Sequence, residues 1–157
     1  NANVIKKQEI RSLTGAISRN IGIGKNIRLL RSKIVNVPMT LGILNPVILL
    51  PESSESWESN RLRIVLLHEL SHVKRNDMLF NVIASFAKTL FWFNPLVWYA
   101  HRKLSIERER ACDDIVLNTG IPSSDYADLL LQVAQSLKTR SKRPFLTWVL
   151  DIIGICN

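Results

Sequence analysis

Five consecutive residues carry the strongest chemical signal in this sequence: His68-Glu69-Leu70-Ser71-His72. On a helix, residues four apart lie one above the other on the same face. Both imidazoles can then offer a nitrogen to one Zn²⁺, while Glu69 sits beside the first ligand, placed to act on water rather than to bind the metal. Two histidines and a glutamate fall at these positions by chance in under about 1% of chains this size. The chain has three histidines in all, and two of them are used here. A pair of core histidines on an apolar helix would need neither this spacing nor the glutamate.

A catalytic zinc keeps three protein ligands and one open position. Donors after Pro95 are His101, Glu107, Glu109, Cys112, Asp113 and Asp114. A helix from Met78 to Phe93 rises about 24 Å, and an equal return from Pro95 brings the chain near Glu109, level with the end of the His72 helix. Glu109, Cys112, Asp113 and Val116 then share one helical face. Glu109 is the expected third ligand. Cys112 is its rival, because thiolates bind zinc well, although a carboxylate better suits a hydrolytic zinc with two histidines. Asp113, one turn on, is expected to accept a hydrogen bond from the free nitrogen of a ligand histidine and fix its tautomer. Tyr99 and His101 are oxyanion-stabilising candidates by residue type alone.

The elements that must position these residues are legible in outline. Ile5, Ile10, Leu13 and Ile17 predict a helix over Val4 to Asn20, ended by Gly22 and Gly24. From Ile27 to Leu50, β-branched runs are punctuated by Asn36, Pro38, Gly42, Asn45 and Pro46, which predicts two or three strands. Pro51 to Asn60 reads as a polar loop. Arg61 to Arg75 is apolar nearly all round, as a helix central to its domain would be. Asp77 is expected to cap a helix over Met78 to Phe93. Asn94-Pro95 breaks that helix, so the apolar stretch Met78 to Ala100 reads as a hairpin rather than a straight membrane span. Its cluster Phe91, Trp92, Phe93, Trp98 and Tyr99 suits a core or an interface with a membrane or partner. A further helix covers Leu96 to Leu117 and stops at Asn118-Thr119-Gly120. The last opens at Ser123 or Ser124, with Tyr126, Leu129, Leu130, Val133, Ala134 and Leu137 on its apolar face.

The motif His68-Glu69-Leu70-Ser71-His72-Val73-Lys74-Arg75-Asn76-Asp77 is followed by Phe91-Trp92-Phe93-Asn94-Pro95-Leu96-Val97-Trp98 and then by Glu107-Arg108-Glu109-Arg110-Ala111-Cys112-Asp113. Upstream stand Pro38-Met39-Thr40-Leu41-Gly42 and Pro46-Val47-Ile48-Leu49-Leu50-Pro51. Together these segments resemble the membrane-bound β-lactam-sensor antirepressor metallopeptidases, over roughly Ile27 to Gln135. The resemblance implies a glutamate-type zincin, with Glu109 as third ligand and Asp113 supporting the site. It also implies a parent protein with several membrane helices, a peptidase domain on the cytoplasmic side of the membrane and a transcriptional repressor as target. This sequence departs from the family pattern in carrying no sensor domain and no convincing membrane helix, which leaves the sensed signal and any link to β-lactams open.

The expected fold class is α+β, a small N-terminal sheet of two to three strands packed on a mainly helical zincin core. The expected domain spans residues 1–143, with its core at about 27–137. An apolar tail follows at 144–157, a short buried helix or the start of a membrane helix behind Lys138, Arg140, Lys142 and Arg143. The length of 157 residues suits one domain, and 46% hydrophobic with 22% charged residues suits a folded one. A net charge of +8 points to an anionic neighbour: nucleic acid, an acidic partner or a membrane face. The two cysteines, Cys112 and Cys156, are too few for a disulfide framework. The chain opens on Asn with no signal segment, and its first Met is Met39, so a piece of a longer protein is expected.

The functional expectation is a Zn²⁺-dependent endopeptidase acting on a protein or peptide, with contact to a membrane in the parent protein. Two other readings compete with it. A catalytically silent zinc scaffold would have no need of Glu69. A basic nucleic-acid-binding module would concentrate its Lys and Arg around a recognition motif, and none is present.

Overall fold

The computed structural model describes residues 2–4 and 8–140 of the chain. The order of elements is β1 (Ala2–Val4), α1 (Gln8–Asn20), β2 (Arg28–Ser32), β3 (Met39–Leu41), β4 (Val47–Pro51), a 3₁₀ turn (Glu52–Ser56), α2 (Ser59–Arg75), α3 (Asp77–Leu90), α4 (Pro95–Leu117) and α5 (Ser123–Arg140). This is an α+β fold, as expected. The tail expected at 144–157, together with Cys156, lies outside the described residues.

The four strands form one sheet in the order β1-β2-β4-β3. Strands β2 and β4 run parallel, with Arg28 opposite Val47 and Ser32 opposite Pro51. Strand β3 pairs antiparallel with β4, with Thr40 opposite Ile48, and forms one edge of the sheet. Strand β1 covers the other edge, antiparallel to β2. The first helix therefore starts at Gln8 rather than Val4, and Ala2–Val4 is a strand. Its pairing with residues some thirty positions away leaves no trace in a three-residue pattern.

Alternation in β4 buries Ile48 and Leu50 completely, while Val47 and Leu49 stay partly open. Helix α2 lies against this face. Leu66 and Leu70 are fully buried within it, and Ile10 and Ile17 of α1 close the same core. A helix apolar on almost every side thus finds partners on almost every side, which fixes its position and rotation. The turn out of β3 requires glycine: Gly42 has φ +88°, and a Cβ there would meet the Asn45 carbonyl oxygen at 2.7 Å.

Helices α3 and α4 form the hairpin that Asn94-Pro95 predicts. Pro95 is the first residue of α4, and the Asn94 side chain caps it by accepting from the Leu96 N–H at 3.0 Å. Among the described residues, no helix is long and apolar enough to cross a membrane. Between α2 and α3 the chain reverses at Asn76, whose φ of 55° lies in the left-handed region that asparagine tolerates. Asn76, not Asp77, occupies the N-cap position of α3, and its side chain makes no capping bond. Asp77 is the first residue of the helix, and its carboxylate is turned inward, where it is buried.

Candidate metal centre

His68 and His72 lie one turn apart on α2, at the floor of a cleft of about 400 Å³. Their rings meet edge to face, with centroids 5.0 Å apart. Glu109 comes from the returning arm of the hairpin. Its Oε2 lies 3.8 Å from Nε2 of His68 and 3.8 Å from Nε2 of His72. The donor atoms of these three residues all lie within 4.8 Å of one another. Two ligands on a tetrahedral zinc stand about 3.3–3.4 Å apart at ordinary bond lengths. Closure by about half an ångström brings the carboxylate to that spacing, and the donor set of two imidazoles and one carboxylate is one that zinc accepts. The three residues fit the metal.

The far sides of both rings are held. His72 Nδ1 donates to Asp77 Oδ2 at 2.8 Å. His68 Nδ1 lies 3.0 Å from the Tyr126 hydroxyl, which itself donates to Asp113 Oδ1 at 2.6 Å. Asp113 is also 3.5 Å from His68 Nδ1 directly. The Tyr126 hydroxyl therefore accepts from His68 and passes its own proton toward Asp113. In each neutral ring Nδ1 carries the hydrogen, which leaves the Nε2 lone pair facing Glu109. A carboxylate behind each histidine is the arrangement that orients a metal-binding ring and raises its basicity.

Glu69 is buried, 7% exposed, beside these ligands. Burial raises its pKa above the usual carboxylate range, and the hydrogen bond from Thr40 opposes that shift. Thr40 Oγ1 donates to Glu69 Oε2 at 2.7 Å and lies 3.1 Å from the Glu69 carbonyl oxygen. Edge strand β3 thus reaches across to the residue between the two histidines. Burial alone would lower the pKa of His68, but Glu109, Glu69 and Asp113 outweigh it and raise the value. Glu109 is shifted down, first by His68, against its partial burial. Its second oxygen, Oε1, faces Arg108 Nη2 at 3.5 Å.

Cys112 sits on the other side of His72, with Sγ 3.3 Å from Nδ1 and 3.5 Å from Asp77 Oδ2. Burial, reinforced by the Asp77 charge, pushes its thiol well above the ordinary range. It is a protonated thiol packed behind the histidine, away from the Nε2 side that Glu109 faces. Glu107 is turned to solvent, where it pairs with Lys103 at 3.0 Å and Arg110 at 3.1 Å. Neither Tyr99 nor His101 lines the cleft; His101 precedes Glu109 by eight helical residues, a rise of about 12 Å.

Four residues that line or support the site have no part in it in the sequence reading: Thr40, Asp77, Arg108 and Tyr126. Asp77 follows His72 by five positions across a chain reversal, and a left-handed Asn76 is the one local sign of that reversal. Tyr126 is legible as a core position of α5, and it is buried, but its hydroxyl is committed to the site. Thr40 reaches Glu69 from a strand twenty-nine residues earlier, and no spacing rule links the two.

A family model described as BlaR1 peptidase M56 matches residues 1–152. The chain belongs to this family. It carries a metallopeptidase-type domain, and the sequence resemblance to the β-lactam-sensor peptidases stands. The regulatory protein BlaR1 of Bacillus licheniformis is 37% identical over 119 residues, which cover 76% of this chain and 20% of that relative. The methicillin resistance mecR1 protein of Staphylococcus aureus is 34% identical over 94 residues, 59% of this chain and 16% of that relative. The matched part is thus no more than about a fifth of these relatives' own length.

Proposed function

We propose that this domain is a zinc-dependent endopeptidase in which His68, His72 and Glu109 hold the metal and Glu69 is the general base. One observation carries the reading. Both Nε2 atoms face a single oxygen of Glu109 at 3.8 Å, while both Nδ1 atoms are engaged on the opposite side. Bound Zn²⁺ supplies a Lewis acid that polarises a carbonyl and makes water more acidic. Glu69 takes the proton of the attacking water on its carboxylate and delivers it to the leaving amine. A carboxyl group raised by burial suits both halves of that transfer. Thr40 holds the carboxylate in place through Oε2. Asp77 and the Tyr126–Asp113 pair keep the two rings aimed.

Strand β3 pairs with β4 on one side and lines the cleft through Met39 and Thr40. Its outer edge offers backbone groups on which an extended substrate can add as one more strand. The substrate is a regulatory protein, a transcriptional repressor or the parent chain itself. The domain works at the cytoplasmic face of the cell membrane as part of a longer sensor-transducer. Support for a regulatory substrate is family membership and the naming of the relatives as a regulatory protein and a methicillin resistance protein; the membrane location is what the family resemblance implies.

The test is cleavage of an unfolded protein substrate by the zinc-loaded chain, wild type beside Glu69→Gln. The variant should bind zinc normally and lose about 10²–10⁴-fold in rate. Equal rates in the two proteins, or no cleavage by zinc-loaded wild type, would contradict the reading; the latter would favour a silent scaffold.

A further inference from the structure

The α3–α4 hairpin carries large apolar side chains that the other described residues do not cover, along α3 at Phe80, Val82, Ile83 and Phe86 and most densely at its tip. Trp92 is 68% exposed, Phe93 69%, Leu96 71% and Tyr99 69%. Leu90, Phe91 and Trp98 are exposed around them. Scattered exposed leucines are ordinary, but a contiguous aromatic patch marks a contact surface. The polar atoms of the tip are arranged for that use. The Trp98 indole N–H donates to the Trp92 carbonyl at 2.8 Å, and Lys88 Nζ lies 5.0 Å over the Trp98 ring.

Charge selects the partner. From Met78 to Ile106 the sequence holds Lys88, Arg102 and Lys103 and no Asp or Glu. Lys103 reaches back to Glu107 at 3.0 Å, which leaves Lys88 and Arg102 as the cations nearer the tip. A second copy docked about a two-fold axis would set this patch, with its cations and no carboxylate, against itself. Exposed Trp, Tyr and Phe beside Lys and Arg are what the headgroup boundary of an anionic bilayer favours. The tip stands at the end of a 14-residue helix, a rise of about 21 Å from the Asp77 end that supports His72.

We propose that the α3–α4 hairpin inserts its tip, Leu90–Phe93 with Leu96 and Tyr99, into the headgroup–acyl boundary of an anionic lipid bilayer. The hairpin lies in the boundary without crossing the bilayer. This goes beyond the metal-site reading and stands without it.

The experiment is co-sedimentation of the full chain with vesicles of phosphatidylcholine containing phosphatidylglycerol, beside vesicles of phosphatidylcholine alone. The chain should partition onto the anionic vesicles. The double variant Trp92→Ser, Phe93→Ser should lose at least about tenfold in partition coefficient, since two large rings leave the boundary. Lys88→Gln and Arg102→Gln should each lose about fivefold on anionic vesicles and little on neutral ones. These side chains lie at the surface, and unchanged circular dichroism would confirm that the variants are folded. Failure of the wild type to bind anionic vesicles would overturn the proposal. So would binding that the double variant leaves intact, because the contact would then lie elsewhere. Self-association that the double variant abolishes, without vesicle binding, would assign the surface to a second copy instead.

Discussion

At the base of the α3–α4 hairpin, Asp77 and Cys112 are buried against His72; at its tip, Trp92, Phe93, Leu96 and Tyr99 face solvent. The usual distribution is reversed at both ends of one supersecondary unit. A carboxylate can be buried at the base because the His72 N–H and the Arg75 guanidinium meet it, at 2.8 and 3.4 Å. Aromatic rings stay exposed at the tip because nothing else in the described chain reaches them. The base owes its order to groups within the molecule, and the tip has no such partners among the described residues. Stability and function should therefore separate along the hairpin.

The largest separation is expected against the core beneath the site. Leu66 is fully buried in α2, and Leu66→Ala should cost about 2–5 kcal/mol, read as a lowered urea midpoint. Asp77→Ala should leave the fold in place and weaken zinc about 10–100-fold, measured by competition with a chromogenic chelator, with partial recovery in Asp77→Asn. An unchanged affinity would mean that His72 needs no orienting partner. Phe93→Ser, at the tip, should move stability by no more than about 0.5 kcal/mol. A loss like that of Leu66→Ala would show that the tip packs within the chain, and the contrast between the two ends would fail.

The sequence made the local features legible and left the distant contacts hidden. His68, Glu69 and His72 are set by helical period alone, and Asn94-Pro95 announces the hairpin that returns Glu109 to them. The strands over residues 28–51 follow from β-branched runs between turn residues. Contacts made by tertiary closure have no such signature. Thr40 meets Glu69 across a sheet edge, Tyr126 meets His68 from another helix, and Asp77 turns inward where a helix cap is the simpler expectation. β1 is hidden for the same reason, since its partner strand is distant in sequence. The aromatic cluster at 91–99 is visible in the sequence, but its composition suits a core and an interface equally. Only packing decides, and the packing of the described residues leaves it outside.

On the reading proposed here, two imidazoles of α2 and one carboxylate of α4 share a metal ion. Zinc analysis of the wild type beside His72→Ala and Glu109→Ala addresses it most directly. The expected result is close to one zinc per chain in the wild type and little in either variant. Zinc retained at full stoichiometry and affinity after Glu109→Ala would contradict the claim and move the third ligand to another residue.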